Sequence, residues 1–149
     1  MKIRAKIILA AVLFAVIAIS SYLLIRPTSD AWAAEGALAK SDTFGFGPLG
    51  ATAKISEDEL QFFRILQSPK SHLVFRHLYD TGTPEAKAFA IIGLKQTLLG
   101  RADERMDDFA RLASPLQTQS GCNGGDCTPK ELLAIWDPDS FRHYAQDFR

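Results

Sequence analysis

The chain is poor in the side chains that carry covalent or metal chemistry. Its 149 residues include two cysteines and three histidines. There is no G-x-S-x-G or H-E-x-x-H motif, no P-loop, and no dinucleotide-binding fingerprint set between a strand and a helix. A hydrolase, nucleotide-dependent transferase or zincin of a familiar kind is excluded on those grounds. The chain also lacks a charge excess, with 17 basic and 17 acidic residues. Residues 1–33 hold Lys2, Arg4, Lys6 and Arg26 against Asp30 alone, so residues 34–149 carry 13 basic and 16 acidic side chains. That remainder is mildly acidic and has no basic field for nucleic acid.

Charge is absent altogether from Ile7 to Ile25, a run of 19 residues preceded by M-K-I-R-A-K and stopped by Arg26 and Pro27. As a helix it would reach roughly 28 Å, close to the ~30 Å hydrocarbon thickness of a bilayer. A cleaved signal peptide has a shorter apolar core. Residues 1–26 therefore read as a signal-anchor at the cytoplasmic membrane. The cations ahead of the run direct the rest of the chain to the non-cytoplasmic side. The alternative is a signal peptide cleaved near Ala33, at the A-x-A site Ala31-Trp32-Ala33, which would release a periplasmic or secreted product.

Residues 27–54 show no sustained period and are rich in Ala, Gly, Ser and Thr, so they read as a flexible tether. Phe44 and Phe46, in F-G-F-G-P-L-G, have two readings: docking on the nearest core, or contact with a partner. From 55 to 149 helix signals are dense. Ser56-Glu57-Asp58-Glu59 is a capping box. Ser68-Pro69, Thr83-Pro84, Thr128-Pro129 and Asp137-Pro138 each place an N-cap residue before a proline suited to the first helical position. Gly82, Gly100 and Ser114-Pro115 read as stops. The period is helical in each segment, and Ala88 to Leu94 is apolar all round, which makes the helix from Thr83 to Leu99 the buried centre. Gly93 would let a neighbour approach it closely. Leu116 to Gln119 alone looks extended. The expected fold is all-α, a compact bundle of about six short helices behind the membrane segment. Its antiparallel helices over about 56–113 resemble the helical hairpins of HEAT-type repeat proteins, a resemblance that implies a protein-binding scaffold.

Both cysteines fall in G-C-N-G-G-D-C. Outside the cytoplasm thiols oxidise, and Asn123-Gly124-Gly125-Asp126 is a turn-forming stretch, so a Cys122–Cys127 disulfide staple is expected. G-C-N-G-G is similar to a stretch of papain-like cysteine proteases, but their nucleophile motif is missing and the likeness carries no activity. His72 and His77 are about 140° apart on a helix and do not share a face as metal ligands. The acidic group Asp103, Glu104, Asp107 and Asp108, interleaved with arginines, reads as a solvated helix face. No catalytic residue, metal site or cofactor is expected.

The functional expectation is a non-enzymatic, exported or membrane-tethered module that binds another exported or membrane protein. Asn123, Gly124, Gly125, Asp126, Phe44 and Phe46 are the candidate contacts. One alternative is a periplasmic inhibitor or immunity protein that plugs a toxin with the CNGGDC segment. Another is a cell-envelope enzyme with an unrecognised carboxylate or histidine arrangement.

Overall fold

A computed structural model describes residues 12–14, 27–47, 54–98, 104–120, 123–135 and 141. Most of Ile7–Ile25 lies outside that set. Within it, Val12, Leu13 and Phe14 are helical and exposed. No described helix is long and apolar enough to cross a membrane.

The described part of the expected tether, residues 27–47, is structured and not a flexible coil. Residues 29–38 form a helix, α1 (Ser29–Leu38), whose N-cap Thr28 accepts from the Ala31 amide at 3.2 Å. Ala31, Ala34, Glu35 and Leu38 recur at helical spacing and are buried. The apolar stripe is built mostly of alanine, which hides it among the small residues of a linker composition. α1 packs along α2 (Glu57–Leu66), which is capped by Ser56 as the capping signal requires, with the Glu59 amide 3.1 Å from Ser56 Oγ.

α3 (Ser71–Thr81) starts later than Ser68-Pro69 suggests. Ser68 Oγ accepts from the Thr28 amide (3.1 Å), so the hydroxyl joins two distant segments instead of capping the next helix. The chain then turns through Lys70 at φ 50° before α3 begins. α4 (Pro84–Thr97) is the buried centre the sequence predicts. Thr83 caps it, and every residue from Ala88 to Leu94 is buried. A Cβ at Gly93 would lie 2.5 Å from the ring of Phe75, so the absence of a side chain is what lets α3 pack closely on α4.

α5 (Glu104–Ala110) buries Phe109 and is tied to α3 by Arg105, which donates to both Asp80 carboxylate oxygens at 3.0 and 2.9 Å. Glu104, Asp107 and Asp108 are exposed, and Arg111 pairs with Asp108 at 2.6 Å. The fold is mainly helical but, against expectation, not all-α, because β1 (Leu116–Ser120) and β2 (Asn123–Cys127) form an antiparallel two-stranded sheet. Phe44 adds an isolated parallel bridge to Thr118 on the other side of β1. α6 (Pro129–Ile135) comes next with a reciprocal capping box, since Glu131 N–H donates to Thr128 Oγ1 (3.2 Å) and Thr128 N–H to Glu131 Oε2 (2.9 Å). The start expected at Asp137-Pro138 lies outside the described residues.

The core is a cluster of phenylalanines. Phe46 lies edge-on to Phe62 and Phe89 at 4.9 and 5.2 Å, Phe44 is tilted on Phe89 at 4.7 Å, and Phe141 stacks on Phe63 at 6.0 Å. Such pairs add about 0.5–1.5 kcal/mol each beyond their area. The strap after α1 is thus part of the core, and Phe44, only 4% exposed, is a docked residue and not a free partner contact.

Candidate functional site

The six candidate contact residues separate in space by role. Phe44 and Phe46 go inward, while Gly124, Gly125 and Asp126 stay exposed on β2. The strand register decides which way β2 presents its backbone. The Phe44 amide donates to Gln117 O (2.7 Å), and the Gln119 amide donates to Phe44 O (2.8 Å). Gln117 and Gln119 therefore turn their peptide groups towards Phe44, and Leu116, Thr118 and Ser120 turn theirs towards β2. Their partners in the register are Cys127, Gly125 and Asn123. The peptide groups of Gly124 and Asp126 consequently point to the outer edge, and among the described residues no strand pairs with it. The edge has two glycines in succession and no lysine or proline of the sort that blunts an exposed strand. Asp126 is held on the hairpin by Gln117 Nε2 at 2.6 Å, and Thr118 Oγ1 donates to Gly125 O at 2.8 Å.

Beside the hairpin lies a pocket of ≈ 290 Å³ lined by Phe44, Phe46, Thr118, Cys127, Leu132 and Ile135. Ile135 is largely exposed at its rim. Cys127 is a free, half-buried thiol that donates to Thr128 O at 3.3 Å. Burial and then the Glu131 carboxylate push its pKa up, so it is a poor nucleophile.

The expected turn is replaced by a strand, while Cys122, one half of the expected staple, lies outside the described residues. Asn123–Asp126 is extended, not a turn. Four steps of strand separate the Cα atoms of Asn123 and Cys127 by roughly 13 Å. Even with the single ~3.8 Å link back to Cys122 directed inward, about 9 Å would remain, beyond the Cα separation a disulfide tolerates. A Cys122–Cys127 bridge therefore requires β2 to unpair. Intact-mass analysis of unreduced protein is expected to show no loss of two hydrogens from an intrachain link. A mass lower by two hydrogens in monomer with a native circular dichroism spectrum would overturn the strand assignment.

A second constellation was not legible in sequence. His77 Nδ1 sits 2.9 Å from Oε1 of buried Glu35, and Thr81 Oγ1 lies 3.2 Å from the same oxygen. Trp32 meets the His77 ring edge-on at 5.4 Å. With Nδ1 engaged, the imidazole directs Nε2 elsewhere, as an oriented base or ligand would. The ring is 53% exposed. Glu35 is 42 residues away in the chain, in the segment that reads as a tether. His72 is apart from this pair. Burial lowers its pKa, and Arg76 and Lys70 add to the effect. Among the described residues no group of three or more His, Cys, Asp or Glu could hold a metal ion.

Gly45, Gly47 and Gly50 have the bare spacing G-x-G-x-x-G. The described part of this run packs under β1, where a Cβ on Gly45 would lie 2.3 Å from Gln119 O. Gly45 thus serves a close approach of two backbones, not a phosphate. Comparison with protein-family models, curated proteins and solved structures yields no match for this chain.

Proposed function

We propose that the chain is a non-enzymatic, membrane-tethered or exported module that binds another exported protein by taking an extended segment of it on the outer edge of β2. The observation that carries this reading is the open backbone of Gly124 and Asp126 on an exposed strand with two glycines. Main-chain hydrogen bonds to such an edge supply affinity, and pockets for alternate side chains supply selectivity. The apolar pocket lined by Cys127, Leu132 and Ile135 supports a preference for an apolar side chain in the incoming segment, while Asp126 on the other face favours a cationic one. An inhibitor or immunity protein would use the same hairpin against a toxin.

A second reading has its own support. The Glu35–His77 pair has the form of an oriented general base, which favours an envelope enzyme.

The two readings part in one experiment. A photo-crosslinking residue at Asp126 in the full chain, in cells, is expected to form a discrete adduct. Gly124→Pro removes an outward N–H without touching the β1 ladder and is expected to abolish that adduct. An adduct unchanged by Gly124→Pro overturns strand addition. Loss of a phenotype on His77→Ala with the adduct intact favours the enzyme.

A further inference from the structure

α1 begins almost where the apolar run ends. Three chain links, Ile25 to Thr28, reach at most roughly 11 Å, and the polar zone on each side of the hydrocarbon is about 5–8 Å deep. With that run in a bilayer, Thr28 would stand at the membrane surface and no long tether would separate it from the helical domain.

The neighbours of Thr28 are set by contacts running in one order along α1 and α3: Thr28 with Ser68, Glu35 with His77, and Ala39 with Thr83. The two helices lie side by side and parallel, so their first turns share one end of the domain. That end carries Trp32 and Leu73, which are 39% and 40% exposed and stand among the exposed large apolar side chains of the described residues. Between them lies the exposed Pro69-Lys70 turn. Its cations are Lys70, Arg76 and, from the last turn of α2, Arg64, against Asp30 in the first turn of α1. The other end of α1 and α2 carries Asp42, Glu57 and Asp58 against Lys40 and Lys54, with Ile55 39% exposed, and has no tryptophan among the described residues.

We propose that the end formed by Trp32, Pro69, Lys70 and Leu73 rests on the phospholipid headgroups of the membrane that Ile7–Ile25 crosses. The inference rests on the membrane-anchored form of the proposed function. Trp belongs at the headgroup level, where its ring is half in apolar surroundings and its N–H stays wet, and lysine adds attraction to phosphate. The end with Asp42, Glu57 and Asp58 then points away from the lipid. So does the hairpin, because the Gln117 amide bonds Glu85 (3.0 Å) in the first turn of α4, at the far end beside Ala39. The partner edge is thereby presented outward.

The test uses the full chain with Cys122→Ser and Cys127→Ser, in vesicles containing phosphatidylglycerol. A fluorophore on Leu73→Cys, and in a second preparation on Lys70→Cys, is expected to lose most of its emission to a headgroup-borne quencher. The same dye on Asp42→Cys is expected to keep it. Lys70→Glu with Trp32→Ser should restore the emission at Leu73→Cys. Retention of the chain after alkaline carbonate extraction with equal quenching at both ends overturns this placement alone. Release of the chain by carbonate overturns the anchor, and the placement with it.

Discussion

Replacing Phe89 by Ala is expected to destabilise the domain by about 3–5 kcal/mol, the range for truncating a fully buried phenylalanine. Phe89 is wholly buried on α4, with Phe44 at 4.7 Å, Phe46 at 5.2 Å and Phe62 at 6.1 Å. The strap and α2 therefore both lean on it. Ala in its place leaves a void bordered by three other rings, whose backbones are held separately by α2 and by the β1 bridge, so collapse into the gap is restricted. In a urea titration followed by helical circular dichroism, the midpoint should fall while the slope stays unchanged. A change of less than about 0.5 kcal/mol would place Phe89 outside the core.

Gly45→Ala is the second large effect, and it acts through the backbone. The added Cβ would stand 2.3 Å from Gln119 O, which belongs to β1 and cannot swing aside as a side chain would. Overpacking of this kind costs about 1–3 kcal/mol. Relieving it means parting Phe44 from β1, at the expense of the two bonds to Gln117 and Gln119, worth about 1 kcal/mol each. Phe44 and Phe46 would then lose their seat. Gly36→Ala is the control, since nothing lies within 4 Å of a Cβ there and the residue sits inside α1. It should stabilise by about 0.5–1 kcal/mol through helix propensity. Equal melting temperatures for the two variants would show that the strap does not depend on its contact with β1.

Local chemistry was legible from the residues. Thr83-Pro84 and Thr128-Pro129 mark helix starts where the structure has them, because an N-cap bond spans only three residues and needs no distant partner. The all-apolar stretch Ala88 to Leu94 announces a helix buried on every side for a similar reason. Ser68-Pro69 carries the same signal and fails, because Ser68 Oγ has a better-placed partner in Thr28, 40 residues away.

Features that depend on distant contacts had to await the tertiary structure. Stability for α1 comes from its alanine stripe against α2, and alanine side chains are too small to show a period by hydrophobicity alone. Two successive glycines in Asn123–Cys127 suggest a turn, and they form a strand only because β1, fastened on its other side by Phe44, offers a ladder. Glu35 and His77 belong to helices separated by a third, so no spacing rule could pair them. Sequence alone determined the caps at Ser56, Thr83 and Thr128, the central apolar helix and the charge-free run of Ile7–Ile25, all properties of adjacent residues. Tertiary packing decided where the strap docks, which edge of β2 stays open and which histidine is oriented, because each depends on groups brought together across tens of residues.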